Sequence, residues 1–170
     1  MSGIEKPPMD PGMLERQVAE ALAGDGDSRE RLQQALRVIA AGFGAATCTL
    51  HEARSEERLL VLRAHLGLPE HLVPVVRRVP FGKGMAGVCA ESREAVTICN
   101  LQQDTGGVAR PGARSTGVAG ALVVPLLRED ALVGTLGIGK PRDHEYSPDE
   151  QGLLRSCGDL LAGALASEQA

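Results

Sequence analysis

The stretch VAGALVVPLLREDALVGTLGI, residues 118–138, decides the fold class of this chain. Two near-continuous apolar runs, 118–127 and 131–138, are joined by Arg128-Glu129-Asp130. A run that is apolar at consecutive positions is typical of a strand buried on both faces, and the charged triplet supplies a tight connection. The stretch therefore predicts a hairpin at the centre of a sheet that is covered on both sides.

Amphipathic helices that could cover this sheet lie towards both ends of the sequence. The pair Asp10-Pro11 predicts the start of a short helix that runs to Leu22, because Asp caps free amides and Pro suits the first turn. Ser28 is expected to cap a second helix over 28–43. Ser147-Pro148-Asp149-Glu150 predicts the capping box of a closing helix that runs to Leu165. The apolar stripes of the three helices are Leu14, Val18, Ala21 and Leu22; Leu32, Ala35, Leu36, Ile39 and Phe43; and Leu153, Leu154, Cys157, Leu160, Leu161 and Leu165.

The middle of the chain predicts more strands and one short helix. Extended runs over 47–52 and 58–65 flank a turn at 55–57 and predict a hairpin. The run from Val75 to Val79 predicts a third strand, which Pro80 ends or places at an edge. A short helix is expected over 85–93 and a brief strand over 96–99. Together these elements predict an α+β fold in which a central, mainly antiparallel sheet carries helices on both faces.

Composition and charge exclude several classes of protein. Of the 170 residues, 43% are apolar and 24% are charged, which is ordinary for one globular domain. A net charge of −4 and a 2% share of aromatic residues argue against a nucleic-acid partner. No apolar run approaches the roughly 18 residues of a membrane span, and the N-terminus lacks the apolar segment of a signal peptide. We therefore expect a cytoplasmic protein without a membrane partner.

The glycine motif Gly82-Lys83-Gly84-Met85-Ala86-Gly87 fits G-x-G-x-x-G between a strand and a helix. A dinucleotide site is not favoured, because the helix is too short for a Rossmann crossover and Pro80 would interrupt a central parallel strand. We interpret the glycines as a tight turn with close helix packing. A second possibility is that Lys83 and the free amides of the helix hold an anionic ligand group.

Five spaced segments resemble a GAF domain, the sensory relative of the PAS fold, over residues 28–168. They are Val79 to Gly87; Arg114-Ser115; Val124-Pro125-Leu126-Leu127; Leu132 to Gly137; and Tyr146 to Glu150 followed by Leu153-Leu154. The resemblance implies an antiparallel sheet, a helical layer that often dimerises, and a ligand cavity on the other face beneath the irregular loop 100–117. Residues 1–9 are expected to form a flexible leader, and 10–27 an N-terminal helix with a linker.

Candidate ligand-binding residues lie in the glycine turn and in the loop. They are Lys83, Gly84, Met85, Asn100, Gln102, Asp104, Arg110, Arg114, Ser115 and Thr116. Arg114 with the hydroxyls of Ser115 and Thr116 could hold a carboxylate or phosphate through charge-assisted hydrogen bonds. The residue pattern of cyclic-nucleotide GAF domains is missing, since Leu101 follows Asn100 where that pattern has Lys. No metal, haem or other cofactor is expected, because cysteines and histidines show no ligand spacing.

The thiols of Cys89 and Cys99 allow an enzymatic alternative. Free methionine sulfoxide reductases are GAF-type enzymes that use thiol chemistry, but their essential cysteine in the glycine turn corresponds to Ala86 here, and 100–117 contain no cysteine. We interpret Cys89 and Cys99 as two buried, redox-silent thiols.

The sequence thus predicts a regulatory, non-enzymatic domain that binds an unidentified small molecule and acts on a signalling partner or output domain. The open alternatives are the reductase and a ligand-free dimerisation module. A homodimer is expected, in which the helix from Asp10 to Leu22 and the closing helix pair across a two-fold axis.

Overall fold

The computed structural model describes residues 10–100, 102 and 117–169. The expected leader at 1–9 lies outside them. In chain order the helices and strands are α1 (Pro11–Leu22), α2 (Ser28–Phe43), β1 (Thr47–Arg54), β2 (Leu59–Leu66), α3 (Val73–Val76), β3 (Arg78–Pro80), α4 (Gly84–Ser92), β4 (Val96–Ile98), β5 (Gly120–Arg128), β6 (Ala131–Lys140) and α5 (Pro148–Gln169). Two 3₁₀ turns, Ser55–Glu57 and Glu70–Leu72, join β1 to β2 and lead into α3.

The strands form one six-stranded sheet in the order β3-β2-β1-β6-β5-β4. Every neighbouring pair is antiparallel. The predicted hairpin is β5 and β6, and both are inner strands of the sheet. The two residues that connect these strands, Glu129 and Asp130, have positive φ angles of 52° and 66°. Two-residue hairpin turns need such angles, because they match the twist of the flanking strands. The α+β class and the antiparallel sheet are confirmed.

Helices cover both faces of the sheet. One face packs against α1, α2 and α5 in a large apolar core that includes Leu36, Leu50, Leu136 and Leu154. The other face packs against α4 in two smaller apolar clusters, one around Leu60 and Val79 and one around Val118 and Ala121. The capping box predicted at the start of α5 forms: Ser147 N donates to Glu150, and Glu150 N donates to the Ser147 hydroxyl.

Two local predictions are wrong. The cap of α2 is Asp27, whose carboxylate accepts from Glu30 N at 2.9 Å, and Ser28 is the first helical residue. The expected strand from Val75 to Val79 is shortened, because Pro74 occupies the first turn of α3 and the strand begins only at Arg78. Pro80 ends this strand, which lies at the edge of the sheet.

The helix α1 docks on its own chain. Leu14 and Val18 are fully buried in the main core, where α1 packs against α2 and α5. The expectation that this stripe needs a second subunit to cover it is therefore wrong, because the groove between α2 and α5 already receives it. A homodimer as such stays a prediction.

Candidate functional site

The alternation of side chains along β1 and β6 defines the candidate site. Leu50 and Leu136 are cross-strand partners and face the main core. The next pair in the same register, His51 and Thr135, therefore faces the opposite side of the sheet, where α4 lies. This is the face on which the resemblance places a ligand.

His51 is a buried histidine with one free ring nitrogen. Its side chain is 3% exposed, and its Nε2 lies 2.8 Å from the Val76 carbonyl oxygen at the end of α3. Since a carbonyl only accepts, Nε2 carries the proton and donates. Burial lowers the pKa of His51 below its ordinary value, and the hydrogen bond to Val76 opposes that shift only in part. The neutral ring therefore presents Nδ1 as a lone-pair acceptor, and no described residue donates to it.

Thr135 is the second buried polar side chain on this face. It is 1% exposed, and its hydroxyl has no hydrogen-bond partner among the described residues. Leaving two such groups unsatisfied beside each other is costly, at about 1–3 kcal/mol for each. Buried polar groups nearly always have a hydrogen-bond partner, so these two atoms leave room for an ordered water or a bound molecule to supply one.

The sheet face changes character on either side of this pair. Towards one end, Val118 and the Thr47 hydroxyl occupy the space above Gly139, where a Cβ would lie only 2.6 Å and 2.7 Å from them. Towards the other end, Leu60, Val79 and Leu132 form the apolar cluster beneath α4. The polar pair is thus flanked by two packed apolar regions.

The glycine turn has the tight geometry and close helix packing that the structural interpretation predicts, and an anion site at Lys83 stays a prediction. Gly82 and Gly84 adopt positive φ, 85° and 65°. Gly87 packs directly on β3, since a Cβ there would lie 2.5 Å from the Pro80 carbonyl oxygen. Met85 packs against the cluster of Val118 and Ala121, while Lys83 is exposed. The antiparallel sheet excludes a Rossmann crossover at this turn.

The predicted loop residues are only partly described. Gln102 N donates to the Asn100 side-chain oxygen at 2.9 Å, and Gln102 Nε2 donates to the Val118 carbonyl at 2.8 Å. Gln102 therefore joins the two ends of the loop, and Asn100 fixes the backbone of Gln102. Asp104, Arg110, Arg114, Ser115 and Thr116 lie outside the described residues.

The loop ends are also tied to the start of α5. His144 N donates to the Cys99 carbonyl at 3.1 Å, and Gly120 N donates to the Arg142 carbonyl at 2.9 Å. The buried Tyr146 hydroxyl donates to the Gly120 carbonyl at 3.2 Å. The His144 ring lies 2.8 Å from Glu150 in the capping box of α5. Although burial alone would raise the pKa of Glu150, the bonds from Ser147 and His144 outweigh it and lower that pKa.

The sequence alone did not single out His51 and Thr135. Thr135 lies within the apolar run 131–138, and His51 lies within the extended run 47–52. The signal that could have found them is the alternation of side chains along each strand. In the pairing of β1 with β6, both polar side chains fall on the face opposite Leu50 and Leu136.

The two candidate thiols are in different environments, so the expectation that both are buried is wrong. Cys89 lies on α4 and is fully buried, while Cys99 follows β4 directly and is exposed. Burial raises the pKa of the Cys89 thiol to about 12, and the positive charge of Arg155 offsets this only in part. A thiol in this state is a poor nucleophile at neutral pH.

We expect one fast-reacting thiol in the folded chain. Ellman's reagent should label Cys99 promptly and the buried Cys48, Cys89 and Cys157 only after denaturation, when all four thiols react. The Cys99→Ser variant should lack the fast phase. A second fast thiol would contradict the burial of the other three cysteines. Loss of a free methionine sulfoxide reductase activity of the parent in the Cys89→Ser/Cys99→Ser variant would establish the reductase.

The buried His51 should make stability depend on pH near neutrality. Because its folded pKa is lowered, the unfolded chain takes up a proton below about pH 6.5 while the folded chain does not. The contribution of neutral His51 to the free energy of unfolding is therefore fully present above that pH and falls by up to about 1.4 kcal/mol per pH unit below it. Urea midpoints of the wild type and of His51→Gln should diverge between about pH 7.5 and 5.5, with the variant less sensitive. If the two urea midpoints changed with pH in parallel, His51 would not be held in its neutral form by burial.

Among the described residues, no helix is both long and apolar enough to cross a membrane. Within the same residues, no group of three or more His, Cys, Asp or Glu side chains is placed to hold a metal ion.

An antiparallel six-stranded sheet with a three-helix layer on one face and a short helix on the other defines the GAF class of domain. The chain belongs to the GAF domain family, whose model matches residues 26–166. No curated protein sequence matches the chain.

Two solved structures illustrate the similarity. The GAF domain from a phosphoenolpyruvate-protein phosphotransferase of Coxiella burnetii is 21% identical, with a TM-score of 0.81 and coverage of 96% of this chain and 97% of that chain. The free methionine-R-sulfoxide reductase of Neisseria meningitidis, in complex with its substrate, is 17% identical, with a TM-score of 0.78 and coverage of 99% and 98%. At these identities the similarity shows the fold.

Proposed function

We propose that this chain is a regulatory GAF domain that binds a small molecule on the α4 face of its sheet and passes the change to α5. The observation that carries the proposal is the set of hydrogen bonds that ties both ends of the loop 100–117 to the residues preceding α5. A ligand that contacts the ends of the loop would act on these bonds directly.

The path from the loop to the helix is short. The Gly120 carbonyl accepts a hydrogen bond from the Tyr146 hydroxyl, and Gly120 N donates to the Arg142 carbonyl. A Cβ on Gly120 would lie only 2.8 Å from the His144 Cβ. His144 in turn meets Glu150 in the first turn of α5. Because these groups are packed without slack, a displacement of Gly120 must move the start of α5 or break a hydrogen bond. The domain thus contains a physical link between a ligand face and a helix in the opposite layer.

We propose that the chain is not an enzyme. The thiol on α4 is buried and protonated, and the turn position that carries the essential cysteine of the reductases is Ala86. The solved reductase shares the fold at 17% identity, and GAF domains of other proteins share it equally well. The dimerisation module is less favoured, because it gives no reason why Nδ1 of His51 and the Thr135 hydroxyl are buried without a hydrogen-bond partner among the described residues.

The proposal includes a cytoplasmic homodimer. Since Leu14 and Val18 are buried within the chain, the interface would use exposed residues of the helical layer, of which Met13 on α1 is 48% exposed. The partner or output domain would then read the relative position of the α5 helices in the pair.

Native mass spectrometry combined with hydrogen exchange tests the proposal. The full chain is incubated with the small-molecule fraction of a cell lysate. We expect a retained small molecule, with slower amide exchange both at the loop ends and in the first turns of α5. In Tyr146→Phe the molecule should still bind, but the exchange of α5 should respond less, because the bond to Gly120 is missing. No retained molecule, or a molecule that leaves α5 unchanged, would contradict the sensor role.

A further inference from the structure

We infer that His51 and Thr135 form the polar contact of this site and select an uncharged ligand group that carries an N–H donor beside a carbonyl acceptor, as a carboxamide does. The inference rests on the proposed function and adds the chemical class of the ligand. It is carried by two polar atoms, Nδ1 of His51 and Oγ1 of Thr135, which lie on buried side chains of directly paired strand residues and have no hydrogen-bond partner among the described residues.

The hydrogen bond to Val76 fixes what His51 can recognise. With Nε2 committed as a donor to that carbonyl, Nδ1 of the neutral ring has only a lone pair to offer. The complementary group is therefore an N–H or O–H donor. A second acceptor, such as a carboxylate oxygen, would face this lone pair without a proton between them.

Thr135 supplies the opposite capacity at the same place. It is the direct cross-strand partner of His51, and side chains at such positions have Cβ atoms about 4.5–5.5 Å apart. Its hydroxyl can donate while Nδ1 accepts. One planar group of a few atoms can contact both, with its N–H on His51 and its carbonyl oxygen on Thr135.

The surroundings favour a neutral group over a charged one. Both side chains are almost fully buried and flanked by the apolar clusters around Leu60 and Val118. Burying a carboxylate beside a neutral histidine would cost far more than burying an amide whose hydrogen bonds are satisfied. The competing occupant is a single ordered water that bridges the two atoms, since buried waters commonly satisfy such groups.

Acetamide and acetate are probes of matched shape that differ in charge and in the N–H donor. The full chain, labelled with ¹⁵N at histidine, is titrated with each probe while the ring nitrogens are followed by long-range ¹H–¹⁵N NMR at a pH where His51 is neutral. We expect saturable acetamide shifts at Nδ1 of His51 and none from acetate. Thr135→Val should lose this response or weaken it at least about tenfold, the equivalent of one hydrogen bond of about 1.4 kcal/mol.

Three variants separate recognition from folding. Thr135→Ser keeps the hydroxyl and should keep the acetamide response. Thr47→Val removes a buried threonine hydroxyl from the same sheet face, beside Gly139, and should respond like the wild type. Because the Thr135 hydroxyl has no hydrogen-bond partner in the part of the chain that the structure describes, Thr135→Val should fold with a melting temperature at or above that of the wild type.

Three results would overturn the inference. Equal responses to acetamide and acetate would remove the selectivity, and no response to acetamide would leave an ordered water only. A retained small molecule in the mass spectrum that leaves the His51 nitrogens unchanged would also overturn it while supporting the proposed function. Absence of any retained molecule would instead count against the proposed function.

Discussion

Replacing Gly134 with alanine should destabilise the chain by about 3–5 kcal/mol, the range of a severe steric fault in a packed core. Gly134 lies on β6 beside β1, and a Cβ there would overlap the carbonyl oxygen of His51. This neighbour is backbone in a central strand pair and cannot rotate away. The two strands would have to separate, and His51 would move with them. Urea denaturation followed by circular dichroism measures the loss as a lower midpoint.

Gly152→Ala is the matched control for this substitution. Gly152 lies exposed in α5, and nothing lies within 4 Å of the position that its Cβ would take. Alanine should therefore stabilise the helix by about 0.5–1 kcal/mol, because it restricts the unfolded chain. An unchanged midpoint in Gly134→Ala would show that β1 and β6 are not packed as closely as the structure has them.

The parts of the fold that were predicted from sequence depend on local chemistry. The capping box of α5 needs only Ser147 and Glu150 three residues apart, and the hairpin β5–β6 needs only two apolar runs with a charged turn. The glycine motif could also be interpreted locally, because a turn at Gly82 and Gly84 requires positive φ. Each of these features is contained in a few neighbouring residues.

The parts that were missed depend on contacts between distant segments. The role of His51 depends on Val76, whose carbonyl fixes the tautomer of the ring, and on Thr135, which lies opposite it on another strand. The helix α1 docks where Gly42 on α2 leaves space for Leu14, and the spacing of apolar residues in α1 alone does not predict this contact. The helical turn α3 was not predicted, because its β-branched residues favour a strand. In the structure Pro74 occupies the first turn of this helix, and the edge strand begins only after it. Local propensity loses in each case to tertiary context.

The docking of α1 provides the second large effect. Leu14 is fully buried, and it sits directly above Gly42, where a Cβ would lie 2.7 Å from the nearest Leu14 methyl carbon. This close approach brings α1 against α2 so tightly that removal of the leucine side chain would leave a cavity. We expect Leu14→Ala to cost about 2–5 kcal/mol, measured as a loss of urea midpoint.

Met13→Ala is the matched control, because Met13 neighbours Leu14 on the same helix and is 48% exposed. Leucine and methionine have helix propensities close to each other, so the two substitutions change the helix itself equally. The control should shift stability by no more than about 0.5 kcal/mol, and an equal loss in both variants would contradict the docked position of α1.

The concentration dependence of the Leu14→Ala effect shows whether α1 docks on its own chain or on a partner. For a contact within one chain, the difference in unfolding free energy between wild type and variant is the same at every protein concentration. A contact made across a two-fold axis would couple unfolding to dissociation, and the wild-type midpoint would rise with concentration while the variant followed a different slope. Because Leu14 and Val18 are covered by α2 and α5 of the same chain, we expect a constant difference. A homodimer detected by light scattering under these conditions would then have to use the exposed surface of the helical layer, because the buried stripe of α1 is already covered within the chain.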